Sequence, residues 1–117
     1  MKLIKVKSND GADWLVNPDN VDALARIENS YSIHFEDDCI NLTTESYIDF
    51  AIAIHDDERF VKFYNADSRG DQYINVSRIV SVQDESDARI INLPTFAYEV
   101  IEPMDLIEEL LGEVNEQ

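Results

Sequence analysis

The sequence predicts an α+β fold, mostly antiparallel β, in two tandem units of about 58 residues, each ending in an amphipathic helix and related by a pseudo-twofold. Three observations predict it. The first is a motif that occurs twice: an apolar residue, an Asn, then aliphatic residues four and seven positions on. It reads Val16-Asn17 with Val21 and Leu24, then Ile74-Asn75 with Ile79 and Val82. The second is that the same 58-residue offset carries Ile33 onto Ile91, Phe35 onto Leu93, Ile40 onto Tyr98, Leu42 onto Val100, Ile48 onto Leu106 and Ile52 onto Leu110. The third is that in both units, short segments alternating apolar and polar residues precede one stretch of helical period. The units divide at residues 1–57 and 58–117 and are expected to pack as one globular body, because half a chain of 117 residues is marginal alone.

Taken in order, 2–7 alternates apolar and basic residues and reads as a strand. Ser8-Asn9-Asp10-Gly11 is a turn, and 14–16 is the return strand of a hairpin. Pro18-Asp19-Asn20 breaks it, and 21–28 is a short turn leading into a strand. Residues 31–35 and 39–42 form the next hairpin around the acidic turn Glu36-Asp37-Asp38. Thr44 caps a helix over 45–55 whose apolar face is Tyr47, Ile48, Ala51 and Ile52. The second unit repeats this order: strands at 60–64, 72–75 and 79–82, a hairpin of 88–93 and 97–101, and a helix opened by Pro103 and stopped by Gly112. The expected core is Val16, Val21, Leu24, Ile33, Phe35, Ile40, Ile48 and Ile52, with Ile74, Ile79, Val82, Ile91, Leu93, Val100, Leu106 and Leu110.

This order of elements and the two Asn motifs resemble the small bacterial FlbD proteins and, more loosely, the LytTR domains. The resemblance covers each unit and implies a small β-rich fold. LytTR domains bind DNA, which needs basic residues. This chain has 9 basic against 25 acidic residues and a net charge of −16, so the expected function departs from theirs.

Charge therefore decides the functional expectation. A folded chain of this mass exposes roughly 6,500 Å², about one net negative charge per 400 Å². Such a surface repels nucleic acid and anionic membrane and attracts basic surfaces. No apolar run approaches a membrane span, residues 1–7 lack the apolar core of a signal peptide, and Cys39 is alone. A cytoplasmic protein is expected.

No reaction signature offsets this. His34, Glu36, Asp37, Asp38 and Cys39 lie close in sequence but do not complete a metal set. Residues 65–76 begin like a calcium loop but place Val76 where a bidentate Glu belongs. Arg69-Gly70-Asp71 and the glycosylation patterns at Asn41 and Asn75 need export. Only Gly11, Gly70 and Gly112 are present, too few for a phosphate loop. Cys39 with His34 or His55 as nucleophile and base has no further support, so no enzyme and no cofactor is expected.

The expectation is thus a non-enzymatic acidic inhibitor of phage anti-defence type, anti-CRISPR proteins among them. It would mimic nucleic acid on the basic groove of a nuclease or CRISPR effector, as monomer or homodimer, without itself binding nucleic acid. The alternatives are an immunity protein against a nuclease toxin and a phage or bacterial assembly protein. The partner-binding candidates are the turns Glu36, Asp37, Asp38 and Asp56, Asp57, Glu58, then Asp84, Glu85 and Asp87.

Overall fold

The computed structural model describes residues 3–35, 38–66 and 70–112. The strands are β1 (Ile4–Lys7), β2 (Asp13–Val16), β3 (Ala23–Ile27), β4 (Ser30–Phe35), β5 (Asp38–Asn41), β6 (Phe60–Tyr64), β7 (Gly70–Asn75), β8 (Ser81–Asp84), β9 (Arg89–Asn92) and β10 (Ala97–Val100). The helices are α1 (Thr44–Ala53) and α2 (Met104–Leu111). The fold is α+β with antiparallel pairing throughout.

A five-stranded sheet, in the order β5-β4-β3-β7-β6, forms the middle layer. Alternation sends Leu24, Ile33, Ile40 and Phe60 to one face, where they pack with Val6, Val16, Phe50 and Ile54 of the β1–β2 hairpin and α1. It sends Ala23, Ala25, Phe63 and Ile74 to the other, against Ile91, Tyr98, Val100 and Ile107 of the β8–β9–β10 sheet and α2. Ala23, Leu24 and Ala25 of β3 are buried on both sides of the sheet, and the two alanines on the second face leave room for the neighbouring sheet to approach.

The repeated Asn motif has one local structure in both places. Asn17 Oδ1 accepts from the Asp19 amide at 3.0 Å and Asn75 Oδ1 from the Ser77 amide at 3.1 Å, each opening a 3-10 turn (Pro18–Asn20 and Val76–Arg78). The aliphatic residue four positions on closes it: Val21 N–H donates to Pro18 O at 3.2 Å and Ile79 N–H to Val76 O at 3.3 Å. Asn75 Nδ2 also donates to Val21 O at 3.0 Å, tying the second turn to the first.

Element order is the same in the two halves, two strands, a 3-10 turn, three strands and a helix, but the pairing is not. β1 and β2 make a sheet of their own, whereas β6–β7 joins the first half's β3 through a register running from Ala23↔Ile74 to Ile27↔Gly70. A twofold would answer the β3–β7 ladder with one between β2 and β8. Among the described residues β8 pairs only with β9 and β2 only with β1. The halves share one central sheet.

The helices occur where expected, but their buried faces differ. Thr43, one residue before the expected cap, has the extended φ of −65° and ψ of 155° and accepts from the Ser46 amide at 3.2 Å. The face of α1 turned to the core is Ser46 and Phe50, continued by Ile54. Ser46 Oγ accepts from the Lys7 amide at 2.8 Å, fastening α1 to β1. Ile48 and Ile52, expected in the core, are 50% and 68% exposed. In α2 the buried residue is Ile107, and Leu106 and Leu110 are each 39% exposed. Phe35, Ile79 and Val82 are half-buried; the other expected core residues are buried.

Candidate functional site

The cations are heavily committed. Lys7 faces Asp13 at 3.8 Å, Arg59 binds Asp19 and Asp57 at 2.7 Å each, Arg89 faces Asp84 at 3.8 Å, and Arg78 pairs with the buried Asp22. Two of the predicted partner-binding carboxylates stand beside these cations. Asp57 holds the Arg59 guanidinium through both oxygens, which keeps its carboxyl below the usual range, and Asp84 borders Arg89. Glu85 accepts from Gln83 Nε2 at 2.7 Å. Asp38, Asp56, Glu58 and Asp87 are exposed, and Glu36 and Asp37 lie outside the described residues.

The sheet register places these turns. Phe60 pairs with Asn75, and in the same row Phe35 pairs with Asp38. Asp38 and the 56–58 turn therefore share one end of the central sheet, roughly 19 Å apart across four inter-strand steps.

About 13 Å along the strands the surface changes character. Tyr64 pairs with Asp71, Asp71 with Arg26, and Arg26 with Tyr31, so these four stand in one row on the α1 side. In the next row Lys62 pairs with Tyr73. Arg26 Nε lies 3.7 Å and Lys62 Nζ 3.3 Å from the two oxygens of Asp71, whose side chain is only 9% exposed. Two outward cations share one recessed carboxylate, and the buried Glu102 carboxylate accepts from the Tyr64 amide at 3.0 Å. Lys62 Nζ lies 5.5 Å from the Tyr64 ring and 5.7 Å from the Tyr73 ring. Burial opposes the charge on Lys62, but Asp71 outweighs it and raises the pKa. Tyr47 of α1 packs against Tyr31 with ring centroids 4.6 Å apart and planes tilted by 40°, and burial, aided by the charge of Asp71, pushes its phenol up to about 12. It remains a hydrogen-bond donor at neutral pH. Sequence reading missed this cluster because its members are scattered from position 26 to 73. The one local signal is the alternation of Lys62 and Tyr64 about the inward Phe63.

His34, weighed as ligand or base, serves the contact between sheets. Its ring stacks on Phe96 at 4.5 Å and Tyr98 at 5.6 Å, Nδ1 hydrogen-bonds the Tyr98 hydroxyl, and Nε2 lies 3.2 Å from Ser32 Oγ. Burial lowers its pKa from 6.5, with the Asp22 charge pulling the other way. Burial raises the pKa of the neighbouring Cys39 thiol, with a hydrogen bond from Ser32 pulling the other way. A depressed folded pKa means that the unfolded chain binds more protons as pH falls below 6.5. The stability His34 contributes is full above that value and is lost as pH falls through the depressed folded pKa. Melting midpoints between pH 7.5 and 5 should drop more for the native chain than for His34→Gln; parallel curves would remove His34 from the account.

Among the described residues no helix is long and apolar enough to cross a membrane. No family model and no curated protein matches the chain. Among solved structures, the chain is similar to the LytTr DNA-binding domain of a methyl-accepting/DNA response regulator from Bacillus cereus. The TM-score is 0.69 at 15% identity, covering 97% of this chain and 99% of that one. This likeness overturns the expectation of an acidic nucleic-acid mimic, whether anti-CRISPR inhibitor or immunity protein, that docks on a basic groove and makes no direct nucleic-acid contact. The physical reason is that net charge sums over a whole surface and bears on solubility and encounter, not on fold. Here it concealed a local cation–tyrosine face. At this identity the likeness concerns the fold, and the fold is LytTR-like.

Proposed function

We propose that this chain is a binding domain that contacts duplex DNA through the face formed by Arg26, Lys62, Tyr64 and Tyr31. The observation that supports it most is the likeness to a DNA-binding domain over nearly the full length of both chains. The chemistry of the face agrees: Arg and Lys pair with phosphates, and tyrosine hydroxyls donate to phosphate and sugar oxygens. The −16 net charge bears on strength. Acidic turns at the far end of the sheet repel the backbone, so contact is confined to the cationic end and non-specific binding is weak. With two cations engaged, the logarithm of affinity should fall with the logarithm of salt at a slope no steeper than about −2.

The test is enrichment from a random-sequence duplex pool at low salt, followed by fluorescence anisotropy on the enriched duplex. The double substitution Arg26→Gln, Lys62→Gln should weaken binding at least tenfold. Lys7→Gln, on the separate β1–β2 hairpin, should leave it within about twofold. An unenriched pool, or unchanged affinity in the double variant, rejects the reading.

A further inference from the structure

The helix α1 is apolar on two opposite sides, and only one is used. Phe50 is fully buried in the core, while Ile48 and Ile52 point away from it. They line a groove of about 510 Å³ with Tyr47, Ala51, His55 and Tyr73. At about 100° per residue, Glu45 and Asp49 form the stripe next to Ile48 and Ile52, and both are exposed. Asp56 borders the groove at its far end. The groove thus has an aliphatic floor, a tyrosine wall beside Lys62 and a carboxylate margin, of which Asp56 lines the groove itself while Glu45 and Asp49 border the adjoining depression with Lys5 and Lys7.

We propose that this groove is a docking site for an amphipathic helix of a partner protein, with aliphatic side chains at positions i and i+4 against Ile48 and Ile52 and lysine or arginine along the edge that meets Glu45, Asp49 and Asp56. The charge of the margin selects this occupant. A second copy would bring the same carboxylates against these ones and another −16 of net charge. A cationic flank pairs with the margin, and a helix lying along α1 presents its side chains at the spacing that the two isoleucines set. The proposal does not rest on DNA contact: Tyr73, over which Lys62 stands, borders both faces, but Ile48 and Ile52 of α1 belong to the groove alone.

The probe is a fluorescein-labelled 18-residue leucine–lysine peptide of helical amphipathic period, with a peptide of the same composition and scrambled order as control. Anisotropy is measured at moderate salt, so that charge alone does not hold either peptide. The amphipathic peptide should bind at least tenfold more tightly than the scrambled one. Ile48→Ser, Ile52→Ser should abolish that preference while leaving the net charge and the melting midpoint unchanged, because both side chains are exposed. Equal binding of the two peptides, or an undiminished preference in the double variant, overturns the proposal. So does light scattering that finds a dimer in the native chain and a monomer in the variant, which would make the occupant a second copy. DNA affinity in the same double variant separates this outcome from failure of the duplex reading.

Discussion

Replacing Phe50 with alanine is expected to cost about 3–5 kcal/mol of folding stability, whereas Ile52→Ala, two residues along the same helix, should stay within about 0.5 kcal/mol. Phe50 is fully buried, and its removal leaves a cavity in the cluster it shares with Leu24, Ile33 and Phe60, whose backbones are held in strands. Such a site collapses poorly, which puts the cost at the upper part of the range. A loss of that size is a large share of the roughly 5–15 kcal/mol that holds a domain together. Ile52 is 68% exposed and gives up little on truncation. Leu106→Ala in α2 should also be mild, since Leu106 is 39% exposed. Urea titrations read the difference: the midpoint should fall sharply for Phe50→Ala at an unchanged slope and hardly move for the others. An Ile52→Ala loss equal to that of Phe50→Ala would mean that α1 packs with the opposite face inward.

The contrast between these residues shows where the sequence was legible. Strand positions were readable because a two-residue period is unambiguous. Leu24, Ile33, Ile40, Ile74, Ile91 and Val100 are all buried as alternation requires. The turns were readable because Asn17 and Asn75 carry their own hydrogen-bonding logic, each side chain capping the residue two ahead. The face of α1 was not readable. Tyr47, Ile48, Phe50, Ala51, Ile52, Ala53 and Ile54 spread apolar character over most of the helix, so period alone could not choose a side. The choice was made by Ser46, a polar residue whose hydroxyl receives the Lys7 amide. The site was still less accessible, because Arg26, Lys62 and Asp71 meet only through the β3–β7–β6 register. Local sequence does not encode which hairpin joins which. The two Asn motifs suggested equivalent halves, and the equivalence stops at the level of hydrogen-bonded partners.

The buried ion pair between Arg78 and Asp22 should give the other large effect. Asp22 is fully buried at the head of β3; one of its carboxylate oxygens binds Arg78 Nε and the other has no protein hydrogen bond. Its backbone is equally committed: its amide donates to His34 O at 2.8 Å and its carbonyl accepts from Asn75 N–H at 2.9 Å, so the residue cannot swing out to water without opening the sheet. Arg78→Met removes the one cation and strands the charge, at a cost of about 3–5 kcal/mol. The reverse change, Asp22→Asn, should be gentler, about 1–2 kcal/mol, because the Arg78 side chain is 27% exposed and can be rehydrated. The double variant is the informative one. A buried pair is costly to break and often cheap to replace whole, so Arg78→Met with Asp22→Asn should recover most of what Arg78→Met alone loses. Chemical denaturation of the four proteins closes the cycle, and additive losses would show that the two side chains do not depend on each other. The pair joins the second 3-10 turn to β3, and Arg26 lies four residues further along that strand. Slackening the pair should therefore weaken DNA binding only in proportion to the fraction of chain unfolded. A loss of DNA affinity in protein that remains fully folded would instead make Arg78 part of the contact surface.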